Sequence, residues 1–275
     1  MSIIRNLWRA QPQEVELNRG HWISTPELYG AFAFGSNGSV SRNLAAKQGL
    51  TVNGNVAASG SANGAAALFS SGSYVYSKNL LVAPPGNGSA LNFTILIGVT
   101  PRDTSDCGIY GYSTSAANLA SGSSLLTPSL RAMSGNYVLF GGTPSGAVEP
   151  GKLQILCIRY KDVNGYVSVT VDGKSEISST GSWSTIGNAG DTERGIGNVY
   201  PSAYTGNMHF VLEMQRYISD AQLNDFVRRP FAWIAPRRIY IPAPAAGGGI
   251  PTLSNSTYVT GSLTSTGWRP QVTAT

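Results

Sequence analysis

The run Gly206–Asn–Met–His–Phe–Val–Leu–Glu–Met214 is followed, four residues later, by Ser219–Asp–Ala–Gln–Leu223. The first run reads as a strand over Asn207–Arg216. The second opens a helix, because Ser219 stands where an N-cap is needed and Gln222 completes a Ser-x-x-Gln capping box. Asp220 in the first turn and Arg228 and Arg229 in the last complement the helix dipole, and Pro230 ends it. Upstream, Val167–Lys174 carries an Asp172–Gly173 pair of the kind that closes a tight β-hairpin, since both central positions demand positive φ. Antiparallel sheets with one short helix satisfy both signatures.

The remaining pattern agrees. Ala65–Ser70 and Ser73–Ser77 flank Ser71–Gly72 and read as a hairpin, and Leu91–Thr100 has one strongly apolar face. Cys107–Tyr112, Ser129–Met133 and Asn136–Phe140 are further strands. Lys152–Lys161 is apolar on both faces, as a central strand of a sandwich should be, and Asp162–Gly165 turns it into Tyr166–Asp172. Residues 1 to about 34 mix aromatic and polar positions and are expected to dock on the core, whereas Gly35–Gly64 reads as loops with one or two short strands. Within the strand at 207–216, His209 alternates with Met208 and Phe210 and is expected at solvent or a subunit contact.

Charge is sparse: 19 Lys and Arg oppose 14 Asp and Glu, 12% of residues are charged, and Gly, Ser, Asn and Thr supply the polarity. That mixture suits short strands and tight turns and argues against helical bundles. The net charge of +5 is modest and clusters at Arg228, Arg229, Arg237 and Arg238, so no broad basic face for nucleic acid is expected. No segment is long and apolar enough to predict membrane insertion or a secretory leader. Cys107 and Cys157, without CxxC spacing and with only His21 and His209 as histidines, cannot build an all-Cys/His zinc site. They read as two buried thiols, although a disulfide between them stays open.

A composition break marks the end of the sandwich. The domain is expected over 1–240, a Pro/Ala/Gly linker over 241–251, and an extended C-terminal assembly arm over 252–275. The arm is nearly uncharged, rich in Thr, Ser and Val, and carries Tyr258, Trp268 and Arg269. It is too short for a core of its own, so pairing with a neighbouring subunit is expected.

Several segments resemble a known family. Gly64–Phe69 with Tyr74–Val75, Phe93–Ile95, Val167–Lys174, Gly195–Gly197 and Gly206–Leu223 occur in the order found in laminin-G-like domains of the concanavalin A class. Trp8–Pro12, Phe231–Arg238, Pro251–Ser254 and Gly267–Thr275 are similar to segments of tailed-bacteriophage virion proteins. The resemblance implies an antiparallel β-sandwich of the concanavalin A-like jelly-roll type. It also implies a virion structural protein without cofactor or enzymatic activity, made in the host cytoplasm and displayed on the exterior of head or tail. Its expected partners are other virion proteins and copies of itself, with head decoration or cementing the leading role and host-surface glycan binding by a tail or fibre subunit the alternative.

Glucan hydrolysis on such a sandwich requires paired carboxylates. The nearest pairs, Asp191/Glu193 and Glu14/Glu16, read respectively as a solvated loop and part of the docking segment. No Gly-x-Ser-x-Gly elbow is present. Gly146–Lys152 begins like a phosphate loop but lacks the following Ser/Thr, and reads as a turn. Asp103, Asp106 and Asp162 are loop acids too scattered to define a calcium site. Tyr110, Tyr112, Tyr200 and Tyr204 lie in Gly/Ser-rich surroundings; packing in the core or an interface is the first expectation for them, and contact with a glycan or another subunit the alternative.

Overall fold

The computed structural model describes residues 11–12, 14–70, 72–78, 92–113, 115, 125–139, 144–161, 166–180, 193–197, 202, 204–236, 259–264 and 267–272. For 125–128, 166, 175–180, 259–264 and 267–272 it describes backbone only. The chain divides into two compact units, residues 1–237 and 238–275.

Two sheets form the first unit. One runs β14 (Lys174–Thr180), β13 (Tyr166–Val171), β12 (Gln154–Lys161), β7 (Phe93–Pro101), β16 (Gly206–Met214), β5 (Gly64–Phe69) and β4 (Val56–Ser61). An eighth strand, β2 (Leu28–Ala33), pairs with the second half of β16, whose first half pairs with β5. The other sheet runs β11 (Pro144–Ala147), β10 (Asn136–Leu139), β9 (Leu125–Met133), β8 (Cys107–Ser113), β15 (Glu193–Ile196), β6 (Tyr74–Lys78) and β3 (Thr51–Asn53). Every pairing between these strands is antiparallel. This is an all-β antiparallel sandwich.

The core between the sheets takes alternate residues of each strand: Ile95, Ile97 and Val99 of β7, Leu156 and Ile158 of β12, and Val167 and Val169 of β13 meet Ile109, Leu130, Tyr137 and Ile196 of the other sheet. A second core lies on the outer face of the eight-stranded sheet. There Leu96, Ile155, Cys157, Phe210, Leu212 and Met214 are covered by Leu223 and Phe226 of the helix α1 (Asp220–Arg228) and by Phe231 and Trp233. Strands β7 and β16 are therefore buried on both faces, so the segment expected to have one strongly apolar face, Leu91–Thr100, has two. β1 (Val15–Leu17) and β17 (Ile234–Pro236) close this layer as a small sheet. None of the described helices is long and apolar enough to cross a membrane.

The cap of α1 is as expected. Ser219 Oγ accepts from Gln222 N at 3.2 Å, and Gln222 Oε1 accepts from Ser219 N at 3.0 Å. Ser219→Ala should cost about 1 kcal/mol, read as a lower urea midpoint with unchanged slope. The Asp172–Gly173 turn also forms, with φ of 52° and 71°.

Two expectations fail. Ala65–Ser70 and Ser73–Ser77 do not pair with each other: β5 belongs to one sheet and β6 to the other. The Ser73 hydroxyl ties Ser70 at both its N and O, turning the chain between layers rather than back along one. His209 is fully buried, because a bulge between Met208 and Phe210 interrupts the register and β16 has no wet face. Its ring nitrogens lie 3.0 Å from Thr100 Oγ1 and 3.1 Å from the Ala65 carbonyl. Cys107 and Cys157 are buried free thiols in the two different cores, on opposite sides of the eight-stranded sheet, so no disulfide joins them.

In the second unit the C-terminal arm takes the form of a hairpin, β18 (Val259–Thr264) with β19 (Gly267–Val272). Trp268 and Arg269 stand on β19 at the register positions of Leu263 and Ser262. Tyr258 lies outside the described residues.

Candidate functional site

On β12, Leu156, Ile158 and Tyr160 enter the inner core, so alternation sends Cys157 and Arg159 to the outer face. Opposite them on β13 stand Thr170 and Ser168. The Asp172–Gly173 turn is fastened to β12 by Asp172 Oδ1, which accepts from Ile155 N at 2.8 Å. The first turns of α1 come down beside this corner. Between sheet and helix lies a pocket of about 240 Å³ lined by Arg159, Thr170, Gly173, Asp220, Leu223 and Asn224.

Arg159 is 1% exposed. Its Nη1 donates to the Ile218 carbonyl at 3.2 Å and to Asp220 Oδ1 at 2.5 Å, and its guanidinium lies 5.0 Å over the Tyr217 ring. The Asp220 side chain is 77% exposed, so this pair anchors α1 to the sheet with one partner buried and one wet. The Thr170 hydroxyl is buried, in a residue 3% exposed, and has no hydrogen-bond partner among the described residues. Together the walls offer a guanidinium, a hydroxyl and an amide as donors, a carboxylate and an amide oxygen as acceptors, and Leu223 as an apolar surface. Among the described residues one carboxylate lines the pocket, whereas glycoside hydrolysis ordinarily employs two.

The residues expected at a glycan or subunit surface lie elsewhere. Tyr110, Tyr112 and Tyr204 are at most 1% exposed and present no face to a ligand; they pack in the core, and the alternative reading as glycan or subunit contacts is corrected. The glycines that made their setting look like loop have a packing cause: a Cβ on Gly111 would stand 2.5 Å from Ser129 Oγ of the neighbouring strand. Tyr204 donates to the Asn207 carbonyl at 3.1 Å and sets its ring against Phe69. Tyr200 lies outside the described residues.

Tyr110 and Tyr112 belong to a buried polar cluster that spans the sandwich. Arg194 of β15 forms an ion pair with Glu213 of β16, across the two sheets. Tyr110 donates to Glu213 Oε1 at 2.6 Å, the two tyrosine hydroxyls are 2.8 Å apart, and Arg194 Nε donates to Ser77 Oγ at 2.8 Å. The guanidinium lies 5.0 Å from the Phe32 ring centre. Glycine at position 30 makes room, since a Cβ there would stand 2.2 Å from Glu213 Oε2. Burial pushes the Tyr110 phenol well above its ordinary range and that of Tyr112 up to about 12, with the Arg194 charge opposing both. Burial also lowers the Arg194 pKa. The cluster is sealed from solvent and holds the sheets in register.

The loop reading of Asp191/Glu193 changes at its second member. Glu193 opens β15 and pairs with Lys78 at 3.1 Å, while Asp191 lies outside the described residues. Asp103 accepts from Ser105 N and Thr205 Oγ1, and Asp106 from Ser134 N, so both organise turns; Asp162 lies outside the described residues. Among the described residues no group of three or more His, Cys, Asp or Glu is placed to hold a metal ion.

Comparison with known proteins adds the fold. No family model matches the chain, and no curated protein matches it in sequence. Solved structures do. Domain 4 of AbnA, a GH43 extracellular arabinanase from Geobacillus stearothermophilus solved with arabinotriose, aligns at TM-score 0.54 and 15% identity, covering 73% of this chain and 98% of that one. Trypanosoma rangeli sialidase in complex with sialic acid aligns at TM-score 0.57 and 16% identity over 78% of this chain, but this chain spans only 34% of the sialidase. The binding domain of botulinum neurotoxin DC, solved with rat synaptotagmin II, aligns at 0.52 and 13% identity over 73% and 51% of the two chains. At such identities the likeness is one of architecture: the chain is an all-β antiparallel sandwich, as these domains are.

Proposed function

We propose that the protein is a non-enzymatic structural subunit on the exterior of a tailed-phage particle, most simply a decoration or cement subunit of the head. The sandwich is its body and the C-terminal hairpin its attachment. The observation that carries this reading is the hairpin. Among the described residues β18 and β19 pair only with each other, and a lone two-stranded ribbon is at best marginally stable in water. Both outer edges offer unpaired backbone groups to a further strand. A neighbouring copy or another virion protein supplies that strand. The resemblance of Phe231–Arg238 and Gly267–Thr275 to phage virion segments points the same way.

Deletion of residues 238–275 should leave a folded domain whose melting temperature stays within about 2 °C of the parent, because the sandwich core lies within the other unit. Particles assembled with this variant should lose it during gradient purification. Normal retention would refute attachment through the arm.

A second reading, a tail or fibre subunit that binds host-surface glycan, is favoured by the mixed donor and acceptor set around the pocket at Arg159 and Thr170. The structural likeness to a domain solved with arabinotriose supports it. Glycan-array binding by the purified chain tests it.

A further inference from the structure

We propose that the pocket between β12, β13 and α1 binds one neutral sugar ring, a proposal that rests on the glycan-binding reading and gives it a site. Three observations carry it. The first is Thr170, which lines the pocket and whose buried hydroxyl has no partner among the described residues. Buried polar groups are nearly always paired, and an unpaired one is costly to the fold; a ligand hydroxyl entering the pocket would satisfy it.

The second is charge balance. Arg159 is already matched by Asp220, and both line the cavity. An anion would meet the Asp220 carboxylate and a cation the Arg159 guanidinium. A sugar hydroxyl both donates and accepts, so it suits walls that offer Asp220 and Asn224 oxygens beside Thr170 and Asn224 donors. Leu223 supplies an apolar patch for ring C–H groups.

The third is size. A cavity of about 240 Å³ is smaller than the roughly 300–1,000 Å³ of drug-sized sites, and takes a single ring rather than a chain. Gly173 keeps it open: a Cβ there would stand 3.2 Å from Asn224 Oδ1 and 3.5 Å from Val227, narrowing the gap between turn and helix.

The test is a nuclear magnetic resonance titration of the full chain with methyl pyranosides of glucose, galactose, mannose and arabinose, alongside N-acetylneuraminic acid and a glycan array. At least one neutral pyranoside should give saturable shifts at the Asn224 side-chain amide and the Gly173 amide. Thr170→Val should weaken that binding at least tenfold while raising the melting temperature by about 2–4 °C, because it removes an unpaired buried hydroxyl without changing shape. Asn224→Leu should also weaken binding tenfold or more. Sugar binding that neither variant changes, with shifts elsewhere, would overturn the pocket and leave the glycan reading standing. No binding to pyranosides or array would overturn both. Shifts at Gly173 with N-acetylneuraminic acid alone would overturn the neutral class. A lower melting temperature for Thr170→Val would show the hydroxyl to be structural and remove the first observation.

Discussion

Arg194→Met should destabilise the sandwich by about 3–5 kcal/mol, the cost of leaving one partner of a buried ion pair alone. Glu213 is fully buried, and without Arg194 its charge retains, among the described residues, the Tyr110 hydroxyl at 2.6 Å. Loss of this one side chain also frees Ser77 Oγ from Arg194 Nε and strips the cation from the Phe32 face. The double variant Arg194→Met/Glu213→Leu should recover most of the loss and come within about 1–2 kcal/mol of the parent, since apolar groups of similar volume commonly replace a buried pair at little cost. It should fall short of full recovery because Tyr110 then keeps only Tyr112 as a hydroxyl partner. Urea unfolding of the parent, the single variants Arg194→Met and Glu213→Leu, and the double variant gives the coupling directly. A single variant within 1 kcal/mol of the parent would show that the pair does not hold the sheets together.

Acid should weaken the fold through His209. Burial lowers the pKa of its imidazole to about 4, only partly opposed by the Ala65 carbonyl, against about 6.5 in an unfolded chain. The unfolded state therefore binds the proton first as pH falls. Stability from this residue is full above pH 6.5, declines as pH drops below that value, and levels off below pH 4. The loss between pH 7 and pH 4 should be about 3 kcal/mol. His209→Gln should flatten that part of the profile. The difference between parent and variant isolates His209 from His21, whose pKa burial also lowers, and from the carboxylates. Parallel profiles for the two proteins would contradict the assignment of a neutral, buried imidazole.

Residues whose signals are local were read correctly from the chain. The Ser219–Gln222 capping box and the Asp172–Gly173 turn depend on neighbours three residues apart or fewer, and both appear as expected. The long apolar strand at Gln154–Lys161 was likewise legible, because burial on both faces removes alternation. Failures come where the fold decides. A bulge at Met208/Phe210 shifts the faces of β16 and buries His209, and no composition rule announces one extra residue. Tyr110 and Tyr112 left the choice between core and contact open because they stand among glycines, yet at Gly111 the neighbouring strand leaves no room for a Cβ. The interior site of Arg194 and Glu213 joins strands 19 residues apart across two sheets, a proximity invisible to spacing. The pocket was not singled out in the sequence: its one local signal is Arg159, a charge among the apolar residues of β12, which the hairpin register sets opposite Ser168. What spacing could not show is that α1 returns over that corner to bring Asp220 and Asn224 against it.

Immunogold labelling of purified particles with an antibody to this chain, read by electron microscopy, tests the proposed role most directly. Gold over the outer surface of the head is the expected result. Particles that carry no gold, from cells in which the same antibody detects the protein, would contradict a place on the virion.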